Sequence, residues 1–168
     1  MAGQNAGDSA YDQRMFRNLL TRLFEDGQPA DHPLGAEDGE IAIAALLIRV
    51  ARADDRYMTV EPHLIDAILT ARRRLDAAEI AGRRAAAEMI EAEGPDTARL
   101  TRSIRERIAL EDRMDVIAAL WEVALADGRQ SPQEEATVRL AAGLLGINEV
   151  DTANARRMIT ARLAPDSS

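Results

Sequence analysis

The chain has 168 residues, contains no cysteine, and carries 21 basic against 29 acidic side chains, a formal charge of −8 at pH 7. A chain of this length is expected to form one domain. The lack of cysteine excludes disulfides, thiolate nucleophiles and sulfur-ligated metals, and the acidic charge disfavours nucleic acid and anionic lipid as general partners.

The first part of the chain contains one predicted helix. Residues 1–9 are small and polar, which predicts disorder. An amphipathic helix is predicted over 11–25, and residues 28–39, with two prolines and several acids, predict a loop. The N-terminus lacks the basic and apolar regions of a signal peptide, so a cytoplasmic protein is expected.

The pattern of the remaining sequence predicts a succession of amphipathic helices, separated by capping residues and helix breakers. Their approximate ranges are 40–53, 60–75, 77–93, 97–108, 111–126, 132–145 and 149–163. Asp76 with Glu79, and Ser131 with Glu134, match the capping-box pattern. Asp96, and Asn148 with Asp151, are predicted to cap the helices that follow them. No strand-like alternation occurs, so we expect an all-α fold, a compact single-domain bundle of about seven to eight helices.

The helix that includes 116–126 is strongly apolar. Only Glu122 is charged between Val116 and Ala126, and the apolar positions cover most of the helix circumference. Such a helix belongs in the middle of a bundle. It is too short to cross a bilayer, which needs about 20 apolar residues, so no membrane insertion is expected.

The chain contains an internal repeat. Both copies read A-D-x-R-x4-E after a long apolar helix, beginning at Ala53 in the first copy and at Ala126 in the second. We therefore predict a duplicated three-helix unit, with repeats over about 40–93 and 111–163. The helical domain is predicted over 10–163, followed by a frayed tail at 164–168.

The two A-D turns concentrate carboxylates that could bind a hard divalent cation, which prefers oxygen ligands. The candidate metal ligands are Asp54, Asp55, Glu61, Asp127, Glu134 and Glu135. The acids are seven positions apart rather than spread over a twelve-residue EF-hand loop, so neither turn alone can enclose a cation. A site would need both turns to converge, or water to complete it. The alternative is that Glu134 is only a capping residue and Asp127 only a turn residue.

One charged residue stands at the same position of each predicted repeat, inside the apolar helix. These residues are Arg49 in the first repeat and Glu122 in the second. If the repeats pack about a pseudo-twofold axis, the two side chains would meet as a buried ion pair. The alternative is that both side chains emerge at solvent-exposed faces.

Other motifs that carry chemistry are weak or missing. His63 lies two residues after Glu61 and could join a transition-metal site, although a single histidine on a helix is more often solvated. Trp121 is most simply a core residue. The sequence has no Ser/His/Asp arrangement, Walker motif or HExxH motif, so we do not expect an enzyme.

Three motifs in order carry a resemblance to a known family. The run ALWEVALADG ends at Gly128, S-P-x-E-E begins at Ser131, and LLGI begins at Leu144. From about position 40 to its end the chain resembles the TerB-like family of tellurite resistance proteins. The resemblance implies an all-helical domain whose acidic A-D turns bind a divalent cation such as calcium or magnesium. The first copy departs from the pattern, because Asp55 replaces the glycine.

Together these observations favour a cytoplasmic TerB-like domain with a protein partner. It would bind a divalent cation weakly through its acidic turns, or act as an acidic docking module in a stress-response complex. The alternative is a purely structural helical adaptor without a metal site, whose partners bind an exposed helix groove. A metal-assisted hydrolytic activity at the acidic turns ranks last.

Overall fold

A computed structural model describes residues 36–53, 60–72, 75–126 and 131–164, with side chains from Asp38 in the first range and Pro62 in the second. The predicted helix at 11–25 and the predicted disordered N-terminus lie outside these residues. The described part is built of seven α-helices and contains no strand. They are α1 (Ala36–Arg52), α2 (Val60–Arg72), α3 (Ala77–Ala92), α4 (Thr97–Arg107), α5 (Leu110–Leu125), α6 (Pro132–Leu144) and α7 (Glu149–Leu163). The predicted all-α class is confirmed.

Two helices, α1 and α5, form the centre of the bundle. Every residue of α1 from Ala42 to Ile48 is fully buried, and α1 packs against α2, α3, α4, α5 and α6. In α5, Trp121 and its apolar neighbours are buried as predicted, against α6, α7 and α1. Helices that are apolar nearly all round can be buried in this way. Among the described helices, none is long and apolar enough to span a bilayer.

The start of α1 differs from the prediction. Residues 36–39 were expected to belong to a loop, but they form the first turn of α1. Gly39 is not a helix breaker here but a packing residue, because a Cβ at this position would lie 3.1 Å from Arg107 Cβ and 3.3 Å from Ile108 Cδ1. Glycine thus allows α1 to approach the end of α4 closely.

The predicted capping signals are confirmed at four helix starts. Asp76 and Glu79 form a complete capping box at α3, and Asp96, Ser131 and Asn148 each accept a backbone N–H at the helix that follows. Gly94 and Gly146 take positive φ values after α3 and α6, as a glycine after a helix end often does. The prediction placed the end of α2 near Leu75, but Leu75 is not helical, and Asp76 next to it is extended and caps α3.

A polar link joins α1 to α2, and a second joins α5 to α6, at equivalent positions of the two predicted repeats. The Glu40 carboxylate accepts hydrogen bonds from Arg72 Nε and Nη2, both at 3.1 Å. The guanidinium of Arg113 donates to the carbonyl oxygen of Leu145 at 3.2 Å. Where the first predicted repeat has the acidic residue Glu40, the second thus has the basic residue Arg113. Each link holds the start of a central helix to the end of its neighbour.

Candidate functional site

Two of the six candidate metal ligands have side chains that the structure describes. Glu134 and Glu135 lie in the first turn of α6, which has Ser131 as its N-cap and begins with Pro132. Ser131 Oγ accepts the backbone N–H of Glu134 at 3.2 Å, and the Glu134 residue is only 3% exposed. The residues Asp54, Asp55 and Asp127 and the side chain of Glu61 lie outside the described part of the chain.

Glu135 is held by an arginine of the next helix. Its Oε1 accepts a hydrogen bond from Arg156 Nε at 2.9 Å and forms an ion pair with Arg156 Nη2 at 2.8 Å. A carboxylate in such a charge-assisted pair is less available to a cation. Across 36–53, 60–72, 75–126 and 131–164, no group of three His, Asp or Glu side chains is placed to hold a metal ion. Glu134 and Glu135 by themselves therefore do not make a cation site.

The predicted ion pair between Arg49 and Glu122 is wrong. Arg49 Nε lies 3.7 Å from Glu91 Oε1, and its Nη1 donates to Thr97 Oγ1 at 3.5 Å. Glu122 instead pairs with Arg162 on α7. The physical reason is that each charge faces a helix of its own predicted repeat, α3 or α7, rather than the other central helix.

A cleft with several acidic side chains lies between α2 and α5. Its volume is about 500 Å³. Its charged lining residues, which define the acidic cleft, are Glu40, Arg72, Asp112, Asp115, Glu122 and Arg162. Ile68, Ala71 and Ala118 supply part of the apolar lining. With four carboxylates against two guanidinium groups, the formal charge of the lining is −2.

Ion pairing divides the four carboxylates of the acidic cleft into two kinds. Glu40 is paired with Arg72, and Glu122 is paired with Arg162. Asp112 and Asp115 are exposed, and neither has an ion-pair partner within the described residues. Asp112 and Asp115 are therefore the two carboxylates of the acidic cleft whose negative charge is not paired with a described arginine.

The sequence contains a signal for the acidic cleft in the spacing of three acids on α5. Asp112, Asp115 and Glu122 follow one another at spacings of three and seven, which place them on one face of α5. That face is acidic on a helix that is otherwise mainly buried. The opposing wall from α2 could not be identified, because it depends on how two helices far apart in sequence pack together.

Comparison with known proteins gives one result. The family model described as "Tellurite resistance protein TerB" matches residues 40–157, which run from α1 to the middle of α7. No curated protein and no solved structure matches the chain. The matched range includes the acidic cleft apart from Arg162, and it includes both predicted acidic turns.

Proposed function

The chain belongs to the TerB family of tellurite resistance proteins, and we propose that it is a docking domain whose acidic cleft binds a basic segment of a partner protein. The observation that carries this proposal is the pair of exposed aspartates, Asp112 and Asp115, in a concave wall. Their charge is not compensated by arginines of the described fold. A cationic side chain of a partner would supply that compensation.

The shape of the cleft suits an arginine or lysine side chain. Its volume of about 500 Å³ is within the usual range for a binding pocket. Ile68, Ala71 and Ala118 can cover the aliphatic stem of the side chain, while the carboxylates receive its charged end. A guanidinium group can also donate two parallel hydrogen bonds to one carboxylate, so arginine is the preferred anchor.

The lining of the acidic cleft supports docking rather than catalysis. Its residues provide carboxylates, guanidinium groups and aliphatic side chains, with no serine, threonine or histidine among them. Two of the carboxylates are already engaged by arginines. The remaining pair can attract and orient a cation without any bond being made or broken.

The proposal is tested by binding of a fluorescein-labelled peptide of alternating glycine and arginine, followed by fluorescence anisotropy. We expect Asp112→Asn with Asp115→Asn to weaken binding by about tenfold or more, since each lost charged hydrogen bond costs about 1.5–3 kcal/mol. The matched control is Glu93→Gln with Glu111→Gln, two exposed acids outside the cleft lining. Equal weakening by both double variants would mean that net charge alone attracts the peptide, and the cleft proposal would fail.

The second candidate function is weak binding of calcium or magnesium at the acidic turns. The observation in its favour is the deep burial of Glu134 in the turn of α6 that follows residues 127–130. The ligands would come from the residues predicted from the sequence, Asp54, Asp55, Glu61, Asp127, Glu134 and Glu135. Glu135 could take part only if its ion pair with Arg156 opened.

A further inference from the structure

A second cavity, separate from the acidic cleft, lies between α6 and α7. Its volume is about 440 Å³, and Trp121 of α5 forms its floor. The indole is fully buried, and its Nε1–H donates to the carbonyl oxygen of Thr152 at 3.1 Å. This hydrogen bond fixes the orientation of the ring. Ile147 and Ala153 add apolar surface to the same cavity.

Two arginines of this cavity approach the same indole ring. The guanidinium carbon of Arg139 lies 5.8 Å from the ring centroid, and that of Arg156 lies 5.6 Å from it. Both distances are within the range of a cation–π interaction. Arg156 is neutralised by its ion pair with Glu135. Arg139 is exposed, and no carboxylate of the described residues forms an ion pair with it. The cavity therefore contains Arg156, which is ion-paired, and Arg139, which has no ion pair among the described residues.

We propose that this cavity binds a ligand with a carboxylate group attached to a small apolar body. The carboxylate would pair with Arg139, whose guanidinium can donate two hydrogen bonds to it. The apolar body would pack against Ile147 and Ala153, beside the two arginines that lie over the Trp121 ring. Binding would also reduce the repulsion between two guanidinium groups that share one ring. This site is independent of the proposed docking at the acidic cleft.

One residue of the cavity opposes such a ligand. Glu149, the first residue of α7, lies in the lining, and its negative charge would repel a bound carboxylate. We therefore expect that affinity is limited by Glu149, and that Glu149→Gln tightens binding at least about twofold. This gives a variant whose effect is a gain of binding, which a folding defect would not produce.

The only tryptophan of the chain reports directly on this cavity. We would titrate N-acetyl-L-leucine into the protein and follow tryptophan emission, with N-acetyl-L-leucinamide as the probe that lacks the carboxylate. A saturable change with the acid, and a much smaller one with the amide, supports the proposal. No change with the acid, or equal changes with both, overturns it. An acetylated tripeptide ending in leucine with a free carboxylate then separates a protein C-terminus, which would bind more tightly, from a small organic acid.

Variants of neighbouring arginines make the test specific. Arg139→Gln is expected to weaken binding of N-acetyl-L-leucine by about tenfold or more, the effect of losing one charge-assisted hydrogen bond. Arg157→Gln makes the same change of charge at an exposed position of α7 outside the cavity lining, and it should leave binding unchanged. Equal losses in the two variants would show a nonspecific effect of charge and overturn the assignment.

Discussion

At the scale of single residues, the charge inside each central helix is compensated by a nearby helix of the same predicted repeat. The Arg49 and Glu91 side chains are only 15% and 14% exposed. Glu91 also accepts a hydrogen bond from Arg52 at 2.6 Å. Charges buried to this extent are costly when one partner is removed. The sequence identified Arg49 and Glu122 as unusual, but their partners depend on helix rotation, which the repeat alone does not define.

We expect Arg49 to be coupled energetically to Glu91 and not to Glu122. A double-mutant cycle with Arg49→Met and Glu91→Gln should give a coupling energy of about 1 kcal/mol or more, because the two groups are in contact. The cycle with Arg49→Met and Glu122→Gln should be additive within about 0.5 kcal/mol. Urea unfolding measures both. A larger coupling to Glu122 would show that the central helices face each other differently.

At the scale of helices, local sequence signals predicted most of the helix boundaries. They failed where contacts between helices determine the boundary. The caps at Asp76, Asp96 and Asn148 act within the first turn of the helix that follows, so the sequence contains all the information they need. Gly39 resembles a breaker in sequence, yet it lies inside α1, where Arg107 and Ile108 pack closely against it. That contact joins residues far apart in the chain and has no local signature.

Two helical glycines should respond differently to alanine. Gly82 in α3 has open space around the position of an added Cβ, so Gly82→Ala should stabilise the protein by about 0.5–1 kcal/mol through helix propensity. At Gly39 the added Cβ would meet Arg107 at 3.1 Å, and overpacking should cancel or reverse that gain. Urea unfolding of both variants tests this. Equal stabilisation would mean that α1 and α4 can separate at no cost.

At the scale of the whole molecule, two cavities in the described part of the bundle differ in chemical character. The acidic cleft lies between α2 and α5, and the cavity over Trp121 lies between α6 and α7. The all-α class followed from helical periodicity, whereas each cavity combines side chains from helices distant in sequence. Glu135 illustrates the difference, because its partner Arg156 belongs to the next helix and was not predictable from the acidic turn.

The cation hypothesis predicts an increase in unfolding temperature. A site with few protein ligands would have a dissociation constant of about 10⁻⁴ to 10⁻³ M. At about 10 mM calcium or magnesium this adds roughly 1.4 to 2.7 kcal/mol by mass action. Asp127→Asn should remove the effect, and Glu111→Gln should preserve it. If calcium and magnesium leave the melting curve unchanged relative to a sodium chloride control of equal ionic strength, the cation hypothesis is wrong.

The most direct test of the docking proposal is to map the bound peptide on the protein. In ¹H–¹⁵N spectra of the full chain titrated with the glycine–arginine peptide, we expect saturable shifts at Ala71, Asp112, Asp115 and Ala118, around the acidic cleft. These shifts should be lost in the Asp112→Asn, Asp115→Asn variant. Shifts spread over all exposed acids, or concentrated at residues 127–135 with the cleft unaffected, would contradict the assignment of the docking site to the acidic cleft.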